Sequence, residues 1–447
     1  MLHRRIHSLA ASFLCFATLA TLAKEEDEPR VDFTVMTMRV SGLPAKFDPC
    51  GTSNDKKTRV AMHIGKIMTE HKYGVVNVQE DFDTHATLYK YDQHPFRTEN
   101  AGELESNSGL NTLSHYSWAD YSTIPWDSCH AQSENGIDCH AKKGFTVMRV
   151  RVNKGVYIDM INLDTNTGTG FYDYITRRSN IEQVVNFINT HSVGNAVIVF
   201  GNTNSLYTRA QDNIRLFTTA TNLSDAWVQA IGGKAPTPGS DESITQCEVT
   251  DKIFYRGSRA IDLESTGLFY DTTRFQSPEG NALTKHKPVR AKFRYAFKDG
   301  WMQSDLYGGP YGTRFNDLDS LPASPRLASI HLRGGNRLDG LTLSLVTGET
   351  FTHGGTGGTR YSLTLQPNEH VHTIELCWGE RNGHTRNFYA KMTTNQKRTV
   401  QAGKSTRDCE TWVVPEGYDV VGAYGRDGDE MDQLGFIYAQ REDEKKE

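Results

Sequence analysis

The stretch that most restricts the fold is Val197-Ile198-Val199-Phe200, an apolar run with no polar alternation, closed by Gly201-Asn202-Thr203-Asn204-Ser205. A run of this kind belongs in a strand buried on both faces, and the short amides after it bring polar side chains to the strand's C-terminal end. A helical pattern from about Tyr174 to Thr190 precedes it, with Ile181, Val184, Val185 and Ile188 on one face. Upstream, Val31 to Val40 reads as a first strand, Arg59 to His71 as a helix ended by Gly74, and Gly74 to Val78 as a second strand running into Gln79-Glu80. Phe145 to Val152 and Val156 to Leu163 are further strands. Strands alternating with helices imply a layered α/β arrangement.

The Val197–Ser205 turn alone is a weak signal, and its weight comes from four other stretches: Thr37 to Pro44, Asn77 to Phe82, Asn162 to Gly168 and Leu283 to Val289. Taken in order, the five resemble the endonuclease/exonuclease/phosphatase superfamily, which includes deoxyribonuclease I and the secreted sphingomyelinases. Thr221 to Trp227 and Asp251 to Arg256 continue the resemblance, which runs from about Phe33 to Phe297. It implies a four-layer α/β sandwich over residues 24–298 and metal-assisted phosphodiester hydrolysis. In that chemistry a histidine–aspartate pair activates water and a divalent cation offsets developing charge.

The resemblance implies that Glu80 holds the cation and that His286, Asn204 and Asp251 are catalytic. Five other positions depart from the superfamily's letters. Arg39 stands for an asparagine, Asp164 for a histidine, and Asn166, Asn202 and Lys285 for aspartates. Asn202 keeps the shape of aspartate and loses its charge; a comparable change in a serine protease lowers turnover roughly 10⁴-fold. Lys285 puts a cation beside His286, and Asp164 is expected near Asp251, where two carboxylates resist joint ionisation. Loss of anionic ligands together with gain of fixed cations implies that Arg39 or Lys285 pairs with Glu80 in place of a metal. No cofactor is expected, with Mg²⁺ or Ca²⁺ required only if hydrolysis survives. A disused pocket and a pocket turned to anion binding are further readings.

From residue 299 onward glycine rises, helical periodicity disappears and short alternating runs recur, which predicts an all-β unit over 299–441. Tyr307 to Asp317, Arg333 to Leu341, His353 to Gly358 and Gly425 to Gly435 resemble a jacalin-type lectin. That resemblance implies a β-prism of three four-stranded sheets. It also implies a sugar site in which Asp432 accepts hydrogen bonds from sugar hydroxyls. Gly428, Asp429 and Glu430 would form one wall, with Asp429 and Glu430 as backbone donors, and the loop at Gly309 the other. His353-Gly354-Gly355-Thr356-Gly357-Gly358 lacks the following Lys-Ser/Thr and helix of a phosphate loop, so it reads as a turn between strands.

The remaining features bear on location and partners. His3-Arg4-Arg5, the apolar Ser8 to Ala23 and the abrupt polarity of Lys24 to Glu28 read as a signal peptide over 1–23, too short to span a bilayer. The chain is therefore expected to be secreted and extracellular, with no transmembrane segment. Of seven cysteines, Cys15 falls in that leader. The other six read as disulfides, with Cys129 paired to Cys139, Cys377 to Cys409 and Cys50 to Cys247. The Cys129-His130 and Cys139-His140 doublets suggest zinc less well than a disulfide in an oxidising compartment. Asn222-Leu223-Ser224 fits the N-glycosylation pattern but overlaps a motif expected to be packed. A formal net charge of −5 argues against general nucleic-acid binding. The tail 442–447 is a mixed-charge end. The sequence thus points to a secreted binder of a glycan or glycoprotein carrying an inactive phosphodiesterase fold. The alternative is an active secreted metal-dependent phosphodiesterase, nuclease or sphingomyelinase-like, directed to glycans by its lectin unit.

Overall fold

The computed structural model describes residues 31–48, 50–99, 107–130, 137–241 and 246–441. The leader 1–23 and the tail 442–447 lie outside the described residues. A four-layer α/β sandwich is followed by a β-prism. One six-stranded sheet of the sandwich runs in the spatial order Ile261–Tyr270, Val289–Phe297, Val31–Arg39, Val75–Gln79, Asn111–Ser114, Phe96–Arg97. The other runs Trp118–Pro125, Gly144–Asn153, Val156–Leu163, Ala196–Asn202, Asp251–Arg256, Ser224–Asp225.

Alternation along each strand explains the layers. In Ala196–Asn202, Ile198 and Phe200 join the cluster between the sheets, with Val35, Val75, Ile158 and Phe293. Val197 and Val199 face the other way, against Ile181, Val184, Val185 and Ile188 of the helix Phe171–His191. The unbroken apolar run is thus a strand covered on both faces, as the period-2 geometry requires. Across the other sheet, Met36, Met38, Val76 and Val78 pack on Ala61, Ile64 and Met68 of the helix Asn54–His71. Both helices begin earlier than their apolar periodicity indicates. Ser53 caps the first by accepting from the Lys56 amide, and Asp173 accepts from the Gly170 amide at the start of the second.

The all-β part has three sheets. One contains Thr350–Gly354, Leu338–Leu345, Leu327–Gly334 and Thr359–Thr364, and another Thr399–Gly403, His384–Thr394, Val371–Arg381 and Asp408–Val413. The third has five strands rather than four. Trp301–Gln303 and Tyr307–Gly308 both pair with Met431–Gln440, and between them the chain bends away so that Asp305 can reach the sandwich. There the Asp305 carboxylate accepts from Arg151 through Nε and Nη2, at 2.8 and 2.7 Å. Buried Asp120 of the sandwich accepts from Arg314 at 3.2 Å and from Arg426 Nε at 3.1 Å. The two parts therefore abut through paired charges.

Among the described residues two disulfides are present, Cys129–Cys139 and Cys377–Cys409. Cys50 and Cys247 do not bond to each other, contrary to the sequence expectation. The Asp48 carboxylate holds the turn at Cys50 by accepting from the Cys50 and Thr52 amides, and the Cys50 thiol meets Lys285. The Cys247 carbonyl accepts from the Tyr270 hydroxyl. Asn222 is exposed on a turn with φ 56°, not packed as its motif suggested. No helix among the described residues is long and apolar enough to cross a membrane.

Candidate functional site

Strand ends from both sheets converge at one end of the sandwich, where a polar seam joins them. The Asn77 amide donates to the Phe200 carbonyl at 2.9 Å, and the Gln79 amide to Asn162 Oδ1 at 2.8 Å. Asn162 in turn donates to the Val78 carbonyl at 3.1 Å. Every group in this seam is buried and partnered, so it fixes the register of one sheet on the other.

Above the seam, Arg39 ends its strand and is 8% exposed. Its Nη2 donates to Glu80 Oε1, and its Nη1 lies 3.0 Å from His286 Nε2. His286 Nδ1 lies 2.7 Å from Asp251 Oδ2. Arginine has no acceptor, so the Nε2 contact requires a lone pair on the imidazole. His286 Nε2 is thus turned to Arg39 and its Nδ1 to Asp251. Burial opposes the charge on Arg39, but Glu80, Asp164 and Asp251 outweigh it and raise the guanidinium pKa. Glu80 and Asn204 both adopt left-handed backbone, at φ 56° and 45°, so the chain bends sharply at both positions.

Asp164 is not left facing Asp251. Lys143 Nζ pairs with it at 2.9 Å and with Asp138 at 2.6 Å, all three groups being buried. Burial pulls the Lys143 ammonium down, yet Asp138 and Asp164 together raise its pKa. Asn202 Nδ2 donates to Asp164 at 3.0 Å, and the Asn204 amide to the Thr165 carbonyl at 2.8 Å. Asn166 supports the neighbouring loop, donating to the Thr167 carbonyl and to Asp173. Lys285 is exposed and turned to Cys50, so of the two cations expected to meet Glu80 only Arg39 does.

The structure therefore unites Arg39, Glu80, Asp251 and His286, and joins Asp164, Asn202 and Asn204 beside them. It leaves Lys285 and Asn166 outside. Sequence reasoning missed Lys143 and Asp138. The Lys142-Lys143 doublet was visible, but nothing in it separates a buried lysine from a solvated one.

These donors do not fit a hard divalent cation, which needs about six oxygen ligands. Glu80 is paired with a guanidinium, Asp164 with an ammonium, and Asn202 offers a neutral amide already bonded to Asp164. Among the described residues, one group of three His, Cys, Asp or Glu side chains lies close enough to share an ion. It is Glu375 with Cys377 and Cys409, whose sulfurs form a disulfide.

In the prism, Gly308 and Gly309 pack against the Asp432 backbone, and the Gly309 amide donates to the Asp432 carbonyl at 2.9 Å. Gly308 has φ 111°, and a Cβ there would lie 2.1 Å from the Asp432 carbonyl oxygen, so only glycine closes this loop. Asp432 is 5% exposed and its Oδ1 has no hydrogen-bond partner, although Arg386 Nε stands 3.5 Å away. Burial raises its carboxyl pKa. The Glu430 side chain turns from the loop to Arg337 and Arg386. The Gly428 amide donates to the Glu430 carbonyl, and Asp429 is exposed at the tip. Tyr311 stacks on His384 at 4.0 Å between ring centroids, giving the same end of the prism an aromatic edge.

Residues 304–437 match the family model of the jacalin-like lectin domain, and residues 25–229 that of endonuclease/exonuclease/phosphatase family 2. A sphingomyelinase of Mycobacterium tuberculosis is 33% identical over 273 residues, 59% of this chain and 53% of that protein. The chain thus spans about half the length of the curated relatives it matches. A mannose-binding jacalin-related lectin from Ananas comosus is 26% identical with a TM-score of 0.29, over 32% of this chain and 99% of that one. A beta toxin of Staphylococcus aureus is 16% identical with a TM-score of 0.41, over 58% of this chain and 99% of that one.

Proposed function

Because the chain is a fusion of an endonuclease/exonuclease/phosphatase-type domain with a jacalin-like lectin domain, we propose that it is a secreted glycan-binding protein whose first domain does not hydrolyse phosphodiesters. One observation carries this reading: a single guanidinium engages both Glu80 and His286 Nε2. Water activation in this fold needs the Nε2 lone pair to accept a proton. Here that lone pair accepts from Arg39, which never deprotonates. The Asp251–His286 couple is kept, but its accepting end is blocked. The reading requires no metal cofactor.

Glycan binding would rest on Asp432, a buried acceptor with one oxygen unpaired, beside the Gly309 loop and the exposed tip at Gly428-Asp429. A hydroxyl that satisfied this oxygen would be selected strongly, since a buried acceptor left unpaired costs about 1–3 kcal/mol. The two disulfides and the basic-then-apolar N-terminus support secretion. The formal charge of −5 speaks against nucleic acid as a general partner.

The second reading, an active phosphodiesterase, is favoured by the retained Glu80, Asp251 and His286 and by the likeness to a sphingomyelinase. The purified chain separates the two when assayed on sphingomyelin vesicles and plasmid DNA, with Mg²⁺ and with chelator. We expect no turnover in any condition. Chelator-sensitive cleavage at an enzyme-like rate would overturn the inert reading. A glycan array run with Asp432→Ala as control is expected to show binding by the native chain alone, and equal signals would remove Asp432 from the sugar site.

A further inference from the structure

Asn222-Leu223-Ser224 is the single Asn-x-Ser/Thr triplet in the chain, so any N-linked sugar would fall there. The fold anchors the residues around Asn222 and leaves its own side chain outside. The Thr221 carbonyl accepts from Arg256 Nη1 at 2.6 Å, and Leu223, 3% exposed, donates its amide to the Phe217 carbonyl at 3.2 Å. Between them Asn222 takes the left-handed backbone that asparagine tolerates better than most residues, and it is exposed. It stands at the rim of a cavity of about 480 Å³. The end of the helix Phe171–His191, the loop 193–195, the segment 256–259 and Asp319 of the prism enclose this space. The loop 193–195 leads into the strand Ala196–Asn202, so the cavity lies at the opposite end of that strand from Asn202 and the Arg39 site. Val193, 45% exposed, gives the cavity an apolar spot, and Asn189, Asp262 and Asp319, all exposed, give it polar groups.

We propose that Asn222 carries an N-linked glycan whose innermost N-acetylglucosamine rests in this cavity, across the seam between sandwich and prism. The proposal rests on the secreted reading, since the sugar donor belongs to the secretory route. In the transfer, Asn222 Nδ2 bonds to C1 of the sugar as C1 parts from a lipid diphosphate; the diphosphate leaves and Nδ2 gives up one proton. A sugar ring joins an apolar C–H face to a rim of hydroxyls, which matches Val193 beside Asn189, Asp262 and Asp319. The space falls within the ~300–1,000 Å³ usual for pockets that hold a small molecule. A glycan leaving from this end of the sandwich obstructs neither the Arg39 site nor the loop at Asp432.

The full chain with its own leader, secreted from a eukaryotic cell line held at high-mannose glycans, tests this. The secreted chain is expected to be heavier than its polypeptide and to lose the excess on treatment with peptide N-glycosidase. Asn222→Gln and Ser224→Ala should both be secreted without the excess, and peptide mapping of the native chain should place the sugar on Asn222. Endoglycosidase H, which leaves one N-acetylglucosamine, should keep the melting temperature of the untrimmed chain. Asn222→Gln and Ser224→Ala, which lack that sugar, should melt roughly 2–4 °C lower. A secreted chain with Asn222 bare would overturn this inference and leave the secreted reading standing, whereas a chain retained in the cytosol would overturn both. Equal melting of the glycosylated chain and the two variants would overturn the seating of the sugar in the cavity.

Discussion

Removing Arg39 should convert a closed site into one that responds to metal. Glu80 is 7% exposed in the native chain, and in Arg39→Ala it loses the cation paired with it. Breaking a buried pair from one side costs about 3–5 kcal/mol, because the remaining charge is uncompensated. At about 2–4 °C per kcal/mol for a domain of this size, the melting temperature should fall by about 6–20 °C in chelator. The loss of the donor to His286 adds little, since that side chain is 28% exposed and water can replace it. In the native chain a divalent ion at ~4 Å from the guanidinium meets a repulsion of roughly 8 kcal/mol at an effective dielectric constant near ~20. In Arg39→Ala that term is gone, and free Mg²⁺ at ~100 times its Kd should restore about 2.7 kcal/mol. Differential scanning calorimetry of both proteins in chelator and in MgCl₂ reads the effect. Arg39→Ala/Glu80→Gln should recover most of the lost stability and no longer respond to Mg²⁺. A native chain that Mg²⁺ stabilises as much as the variant, or a variant that melts unchanged, would refute the argument.

Two further outcomes follow from charges elsewhere. A hydrogen bond from Arg337, opposed by burial and aided by Arg386, holds the Glu430 carboxyl at about 2. That lies below its unfolded value of ~4.3, so the pair's contribution is complete above that value and is lost as pH falls through about 2. Glu430→Gln should therefore melt lower than the native chain at neutral pH, with the gap closing on acidification; a gap that stays constant would show the pair to be inert. Asp120→Ala leaves Arg314 and Arg426 unpaired where sandwich and prism meet, at a cost of about 3–5 kcal/mol. Calorimetry should then show two transitions where the native chain shows one, and a single unshifted transition would exclude Asp120 as the coupling point.

The layering was legible from the residues because it follows from alternation alone. Val197 to Phe200 could be satisfied only by cover on both faces, and Ile181, Val184, Val185 and Ile188 named the helix that supplies one of them. The helix starts were not legible from apolar spacing, since Ser53 and Asp173 act through hydrogen bonds that carry no periodicity. The fifth strand of the third prism sheet was missed because Asp305 interrupts one strand to reach Arg151, a contact 154 positions away. At the site, Arg39 and Lys285 were equal candidates on charge. Only the register that ends one strand at Arg39 and leaves Lys285 in a turn separates them. Lys143 carried no signal at all, because its partners Asp138 and Asp164 are brought together by folding.

The pattern of kept and altered letters has a physical explanation in the hydrogen bonds. Thr37 and Gln79 bond each other, Asn77 and Asn162 tie the sheets together, and the Asn204 amide closes the turn through the Thr165 carbonyl. Changing any of these would leave a buried polar group unpaired even in a protein that cleaves nothing. Arg39, Lys285 and Asn166 stand at the other kind of position, where the superfamily's letter does its work on a cation or a phosphate. If that work is gone, as proposed, the requirement there is only that charges balance and amides find partners. Arg39 with Glu80, and Lys143 with Asp164 and Asp138, meet it. The kept letters thus testify to the sandwich and the altered ones to its chemistry. Likeness over the whole domain rests mostly on the first kind, so the relationship stays visible whatever the chemistry, and on the proposed reading it is the pairing of Arg39 with His286 and Glu80 that ends hydrolysis.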